Sequence, residues 1–143
     1  MVNYQSPPPP GPKPPPLRPT AAFVGASWAA LAVGIISYGV GLWNADMTKS
    51  EKGFYAATLL LGLFGAISLQ KSVRDQAEGM PVSGLYLGLA WVMVAVSIVM
   101  LVIGLWNSGM QLNEKGFYGL AFVLALYAAV AVQKNVRDAL YKP

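Results

Sequence analysis

The sequence contains no cysteine and no histidine, and only 11% of its 143 residues are charged. Without cysteine, the chain can form no disulfide and offers no thiolate for catalysis or metal binding. Without histidine, it lacks the commonest general base, metal ligand and haem ligand. Soluble domains carry about 25% charged residues. These shortages argue against a soluble enzyme, and we expect no catalytic residue, no metal site and no cofactor.

Apolar residues are abundant instead, at 55% of the chain, and the mean hydropathy is +0.50. The few charges are clustered and leave four uncharged stretches, at residues 19–45, 53–70, 79–113 and 116–133. A helix needs about 20 apolar residues to cross a bilayer. The first and third stretches exceed this length, and the other two are close to it. The pattern predicts an all-α membrane protein with four transmembrane helices.

The chain also contains an internal repeat with an offset of 63 residues. Between residues 23–75 and 86–138, 23 of 53 positions are identical without a gap. Charged and aromatic positions match in register, so shared apolarity does not explain the identity. We predict two tandem, parallel helical-hairpin repeats. The expected organisation is a Pro-rich arm, two two-helix repeats and a short tail, at residues 1–20, 21–78, 84–139 and 140–143.

Each repeat is predicted to form a helix, a short loop and a second helix. The first helices are expected from about Ala22 to Trp43 and from about Gly84 to Trp106. We expect Ser50 and Asn113 to be the N-caps of the second helices, because serine and asparagine side chains accept hydrogen bonds from free backbone N–H groups. The second helix should end at Gly79, since glycine commonly terminates a helix.

The distribution of cations predicts the orientation in the membrane. Two helices per repeat return the chain to its starting side, so both loops share one face and both termini share the other. Seven of the ten Lys and Arg residues lie on the side of the termini. The positive-inside rule therefore places both termini in the cytoplasm. The N-terminus does not resemble a cleavable signal peptide, so we expect the first helix to remain as an anchor.

Proline is concentrated in one segment, with nine of eleven residues between positions 7 and 19. Proline lacks a backbone N–H and cannot continue a helix. We predict a disordered, cytoplasmic arm with polyproline II character. Its simplest role is that of a spacer, and the alternative is a docking site for a proline-recognising partner.

The most distinctive motif is GLWN followed by EKGFY, which occurs once in each repeat. One interpretation is a stable hairpin turn with an aromatic belt at the membrane interface. The other is a recognition surface formed by both loops, with Glu51 and Glu114 paired to bind a cation or share a proton. Lys52 and Lys115 lie beside these carboxylates and weaken the case for a cation site. The candidate outer-face residues are Trp43, Asn44, Glu51, Lys52, Tyr55, Trp106, Asn107, Glu114, Lys115 and Tyr118.

A second motif, QKxVRD, occupies the other end of each repeat. Its simplest interpretation is a cytoplasmic anchor that fixes the topology. The alternative is a phospholipid-headgroup site, formed by Lys71, Arg74, Lys134 and Arg137.

Small residues recur at four-residue spacing within the predicted spans. Gly84 and Gly88 have GxxxG spacing, and Gly62 with Ala66 has the same period, as do three alanines of the fourth span, Ala121, Ala125 and Ala129. In lipid, small residues let helices pack closely. We expect all of these positions to lie in helix contacts.

The paired motifs GLWN…EKGFY…QKxVRD resemble the YiaA/YiaB inner-membrane protein family of bacteria, over about residues 21–139. The resemblance implies a four-helix inner-membrane protein of two tandem two-helix domains. It implies no enzymatic activity, substrate or cofactor, and only a loose link to envelope stress. The long proline arm and the residues Lys49 and Ser50 in the first loop depart from the family pattern.

Our leading hypothesis from the sequence is a non-enzymatic membrane module that binds a membrane lipid, a second copy of itself or another inner-membrane protein. The alternative is a small transporter or channel component, but such proteins usually carry a charged residue within the span. No Asp, Glu, Lys, Arg or His lies at that depth in this sequence. A membrane enzyme ranks third, and nucleic acid is not expected as a partner because no basic stripe with stacking aromatics occurs.

Overall fold

A computed structural model describes residues 2–11 and 18–140. The regular elements in these ranges are four α-helices, which are α1 (Ala21–Asn44), α2 (Lys49–Ala77), α3 (Gly84–Asn107) and α4 (Leu112–Ala139). All four helices are long and apolar enough to cross a membrane. The predicted all-α architecture with four spans is confirmed, and the predicted ends of α1 and α3 differ by no more than one residue from those observed.

The N-terminal arm is described only in part. Residues 2–11 and 18–20 contain no helix and are mostly exposed. The side chain of Thr20 then caps α1 by accepting a hydrogen bond of 3.2 Å from the backbone N–H of Phe23. Residues 12–17, which hold four of the prolines, and residues 141–143 of the tail lie outside the described residues. The disorder of the arm stays a prediction.

The N-caps of α2 and α4 differ from the predicted ones, Ser50 and Asn113. Thr48 caps α2, and its hydroxyl accepts from the N–H of Glu51 while the Glu51 carboxylate accepts from the N–H of Thr48. This reciprocal capping box satisfies two free donors at once, so Ser50 falls inside the first turn. In α4 the N-cap is Gln111 rather than Asn113, and the Gln111 side chain makes no capping hydrogen bond.

A short turn, residues 78–83, joins the two repeats. Gly79 has a φ of 78°, a left-handed conformation that glycine adopts at low cost. The backbone N–H of Met80 donates to the carbonyl of Asp75 over 2.8 Å and closes the end of α2. The predicted termination at Gly79 is confirmed. Ser83 then begins α3 by accepting a hydrogen bond from the N–H of Tyr86.

The two repeats interlock rather than forming two separate hairpins. α1 packs mainly against α4, and α2 packs mainly against α3, whereas α1 has few contacts with α2, its partner within the repeat. α2 and α4 also pack against each other and lie at the centre, where a larger share of each helix is buried. Each outer helix is therefore held by the central helix of the other repeat.

The two cross-repeat contacts are built at equivalent positions. A Cβ atom added at Gly34 in α1 would lie 2.8 Å from the backbone nitrogen of Ala125 in α4. A Cβ atom added at Gly62 in α2 would lie 3.0 Å from the hydroxyl of Ser97 in α3. Gly34 corresponds to Ser97 and Gly62 to Ala125 after the shift of 63 residues. The repeat in the sequence thus produces a pseudo-twofold arrangement in which small residues permit close approach.

The small-residue prediction is correct for the central helices and wrong for α3. Ala66, Ala121, Ala125 and Ala129 are buried. A Cβ at Gly84 or Gly88 would meet no atom within 4 Å, and both glycines are exposed. GxxxG spacing places two glycines on one face of a helix, but it does not say whether that face meets a helix or lipid.

Candidate binding site at the loop end

The loops between α1 and α2 and between α3 and α4 lie at the same end of the bundle and line a shared, half-open cavity. This cavity, here termed the loop basin, has a volume of about 1150 Å³ and is lined by residues of both loops and of all four helix ends. Ligand pockets usually measure about 300–1,000 Å³. The loop basin is therefore large enough for a small molecule or part of a lipid, and neither repeat forms it alone.

The base of the loop basin is aromatic. Tyr55 of α2 and Tyr118 of α4 are each only 4% exposed, and their rings stack with centroids 6.2 Å apart. Each ring has an edge-to-face contact at 5.5 Å with the preceding phenylalanine, Phe54 or Phe117. Such aromatic pairs contribute about 0.5–1.5 kcal/mol beyond their buried area. The EKGFY motif thus supplies a rigid, symmetric floor.

Tyr38 fixes this floor from α1. Its hydroxyl donates to the backbone carbonyl of Tyr55 over 2.7 Å, and its ring meets that of Tyr118 edge to face at 5.6 Å. The equivalent position in the second repeat is Leu101, which is buried but has no hydroxyl. The two halves of the floor are therefore similar in shape and different in hydrogen bonding.

Two glycines make room for the rings. A Cβ at Gly41 would lie 2.7 Å from Cε1 of Phe117, and a Cβ at Gly104 would lie 2.7 Å from Cε1 of Phe54. These glycines belong to the GLWN motif, and each faces the aromatic pair of the other repeat. The two parts of the distinctive motif are therefore complementary across the repeats, a relation that their separation in sequence did not reveal.

The asparagine and lysine side chains of the motif mostly stabilise the helix ends. Asn44 and Asn107 donate to the carbonyls of Val40 and Ile103 over 2.9 and 2.8 Å. The ammonium of Lys52 donates to the carbonyl of Trp43 over 3.0 Å. Exposed carbonyls at a helix end need such donors, so these contacts agree with the structural interpretation of the loops.

The ten candidate residues of this face separate into two groups. Six of them line the loop basin, namely Asn44, Glu51, Tyr55, Asn107, Glu114 and Tyr118. The other four, Trp43, Lys52, Trp106 and Lys115, are not among its lining residues. Both tryptophans are 83% exposed, as expected for interfacial anchors. Sequence reasoning missed Asp46, Phe54 and Phe117 as lining residues, although the offset of 63 aligns both phenylalanines.

The opposite end of the bundle carries a network of ion pairs, here termed the charge cluster. Arg74 of α2 bonds Asp138 of α4, and Arg137 of α4 bonds Asp75 of α2. These two pairs are equivalent after the shift of 63 residues. Glu78 joins them, with oxygen atoms 2.7 Å from each guanidinium. The charge cluster comprises Lys71, Arg74, Asp75, Glu78, Lys134, Arg137 and Asp138.

The ion pairs of the charge cluster involve all four cations that were predicted to contact a lipid headgroup. Both arginines already pair with carboxylates of the other repeat, so their charge is largely offset. Lys71 and Lys134 pair within their own helices with Asp75 and Asp138, yet their side chains remain 55% and 49% exposed. The headgroup role of the four cations stays a prediction, and the two lysines are its more accessible members. Sequence reasoning missed Glu78 and the pairing of each aspartate with the arginine of the other repeat.

Comparison with known proteins agrees with the motifs. The model of a family described as the yiaA/B two helix domain matches twice, at residues 23–75 and 86–138. The Escherichia coli (strain K12) protein named "Inner membrane protein YiaA" is 53% identical over 122 residues, which cover 85% of this chain and 84% of that protein. The Bacillus subtilis (strain 168) protein named "Uncharacterized membrane protein YubF" is 40% identical over 62 residues, or 43% of this chain and 71% of that protein. No solved structure matches.

Proposed function

Since the chain belongs to the yiaA/B two-helix-domain family of integral membrane proteins, we propose that it is a non-enzymatic binding module whose ligand occupies the loop basin. The ligand is a small molecule, a lipid headgroup or a segment of another inner-membrane protein. The link to envelope stress is a hypothesis that rests on the family resemblance alone. The relatives carry no enzyme name, and the loop basin contains no nucleophile paired with a base.

The observation that supports this proposal is the joint construction of the loop basin. Tyr55 and Tyr118, which form its floor, come from different repeats, and Gly41 and Gly104 each accommodate the aromatic ring of the other repeat. A loop that only closed its own hairpin would not need these cross-repeat contacts. The arrangement keeps a cavity open at the loop end while the helices below it pack closely.

A small transporter or channel component is the second candidate. The same loop basin would then be an entrance to a path across the bundle. Coupled transport usually uses a charged residue within the membrane, and the sequence has none between Lys52 and Lys71 or between Lys115 and Lys134. The binding module needs no such residue and therefore ranks first.

We further propose that the chain lies in the inner membrane with both termini in the cytoplasm. Single cysteines at Ser6, Thr48 and Gln111 test this orientation, because the protein has no cysteine of its own. In intact cells, a membrane-impermeant maleimide should label the cysteines at Thr48 and Gln111 but not the one at Ser6. Labelling of the Ser6 variant before lysis would reverse the orientation derived from the charge asymmetry.

Purification in native lipid nanodiscs, followed by mass spectrometry, tests the binding module. Gly109 lines the loop basin, and a Cβ there meets no atom within 4 Å. Gly109→Trp should therefore fill the cavity without a backbone clash and remove a co-purifying molecule that the parent retains. Gly116→Trp is the matched control, since Gly116 is equally open and does not line the cavity.

Identical sets of co-purifying lipids, small molecules and proteins in the parent and in Gly109→Trp would contradict the proposal. Loss of the same molecule from Gly116→Trp would also count against it, because the effect would then come from a bulky side chain near the interface. Thermal unfolding of both variants in detergent shows that the bundle has kept its fold.

A further inference from the structure

The charges around the loop basin are of one sign. Asp46, Glu51 and Glu114 are among its lining residues, and no lysine or arginine is. Lys52 is directed to the carbonyl of Trp43 instead. The sequence placed a lysine beside each glutamate, which argued against a cation site. In the fold, these lysines do not line the cavity that the glutamates line.

The two glutamates are not equivalent. One oxygen of Glu51 accepts from the N–H of Thr48 at 3.1 Å and is committed to the capping box. The second repeat has Gln111 at the capping position, and its side chain makes no capping bond. Within residues 18–140, the Glu114 carboxylate has neither an ion pair nor a hydrogen bond. Its full charge therefore faces the loop basin.

The floor beneath Glu114 also has an unused polar group. Tyr118 lies one turn after Glu114 on α4, so the two side chains are neighbours on one helix face. Tyr118 is 96% buried, being only 4% exposed, and it lines the loop basin. Whereas the Tyr38 hydroxyl bonds the carbonyl of Tyr55, the hydroxyl of Tyr118 has no hydrogen-bond partner in the described part of the chain. Since Tyr118 lines the loop basin, its phenol oxygen is available to a ligand there as a hydrogen-bond acceptor.

This set of groups matches an ammonium group better than a metal ion. Aromatic faces attract ammonium cations, and carboxylate and phenol oxygens accept their N–H groups. In the described residues, no three side chains of the metal-binding acidic, His or Cys types are close enough together to hold a metal ion. Carboxylates spread around a wide cavity suit an extended cation, whose charge is distributed along a chain.

We propose that the loop basin binds a primary-ammonium ligand, with one ammonium group held between Glu114 and Tyr118. This inference rests on the proposed binding function and names its ligand class. Two sources supply the chemistry, a soluble polyamine and the ethanolamine headgroup of a phospholipid. The acidic rim raises the local concentration of either cation.

Binding measurements on the full chain in an uncharged maltoside detergent test the proposal. The probes are spermidine, followed by calorimetry, and phosphatidylethanolamine in mixed micelles, with phosphatidylglycerol as the lipid control. The parent should bind at least one ammonium probe, and Glu114→Gln should weaken that binding about tenfold or more, as expected for the loss of one charged hydrogen bond. Lys115→Gln is the matched control and should bind no more weakly than the parent, because it removes a positive charge from the same helix turn.

Binding of spermidine alone assigns a soluble ligand, and selective binding of phosphatidylethanolamine assigns the lipid. Glu114 is exposed, so its substitution by glutamine should not affect folding, and Gly109→Trp provides a second block of the same cavity. Equal binding by the parent and Glu114→Gln would overturn the proposal, as would binding of neither probe. If neither probe binds and Gly109→Trp still removes a co-purifying molecule, the ligand class is wrong and the binding module stands. If neither probe binds and Gly109→Trp removes no co-purifying molecule, both the ligand class and the binding module are wrong.

Discussion

Gly34→Leu should lower the free energy of unfolding by roughly 1–3 kcal/mol or more, the range found for overpacked sites. A Cβ at this position would lie 2.8 and 2.9 Å from the backbone nitrogen and Cα of Ala125. Backbone atoms in the middle of a helix cannot move aside as a flexible side chain can, so α1 must separate from α4. Thermal unfolding in detergent, followed by circular dichroism at the helix band, measures the loss.

The matched control is Gly88→Leu, which introduces the same side chain where a Cβ meets no atom within 4 Å. It should leave the unfolding midpoint unchanged. Gly34→Leu combined with Ala125→Gly should remain destabilised, because the obstructing atoms include the backbone of residue 125. Equal stability of Gly34→Leu and Gly88→Leu would show that α1 does not approach α4 as described.

Arg74→Gln, Asp138→Asn and the corresponding double variant should reveal a coupling of about 1.5–3 kcal/mol, the usual contribution of a hydrogen bond to a charged group. The Asp138 side chain is only 8% exposed and bonds the Arg74 guanidinium across the α2–α4 contact. Removing either partner leaves a partly shielded charge with one counterion fewer. A double-mutant cycle on unfolding in detergent isolates the pairwise energy.

Lys134→Gln is the control for this cycle. Its ammonium also bonds Asp138, at 2.8 Å, but the lysine side chain is 49% exposed. Exposed pairs contribute at most about 1 kcal/mol, so this variant should change stability less than Arg74→Gln. A cycle with no coupling between residues 74 and 138 would mean that the pair contributes nothing to the association of the repeats.

Acid should weaken the charge cluster. Hydrogen bonds from Arg137 and then from Arg74 hold the pKa of Glu78 below its ordinary value of 4.5. A carboxyl group whose pKa is lower in the folded state stabilises the fold above its ordinary pKa, and this stability is lost as the pH falls through the folded value. Unfolding of the parent should therefore become easier below about pH 4.5, and Glu78→Gln should flatten that dependence.

The number, type and approximate ends of the helices could be predicted from the sequence, because lipid permits few structures and the uncharged stretches mark the spans. The sequence did not allow us to predict which helices pack together. Hydropathy and the repeat suggested two hairpins, while the close contacts of Gly34 and Gly62 connect different repeats. The faces of Gly84 and Gly88 were misassigned for the same reason, since lipid and a neighbouring helix both accept small apolar residues.

The candidate sites were predicted less completely than the fold. The EKGFY and QKxVRD motifs correctly indicated that the two ends of the bundle carry the distinctive side chains. The direction of each side chain depends on packing, so the sequence could not separate Glu114, which lines the loop basin, from its neighbour Lys115, which does not. It also could not show that Asp75 and Asp138 pair with arginines of the opposite repeat, because residues 62 or 64 positions apart have no local signal.

The exchange of helix partners between the repeats has a consequence for biosynthesis. α1 enters the membrane first, but its main packing partner, α4, is made last. Until α4 has been inserted, the surface around Gly34 lacks the helix against which it packs in the finished bundle. The turn at residues 78–83 keeps the second repeat close by, so that completion becomes an intramolecular event at high effective concentration. Without that turn, the same contacts would join two polypeptides, and the finished bundle is equivalent to a dimer whose subunits were connected end to end.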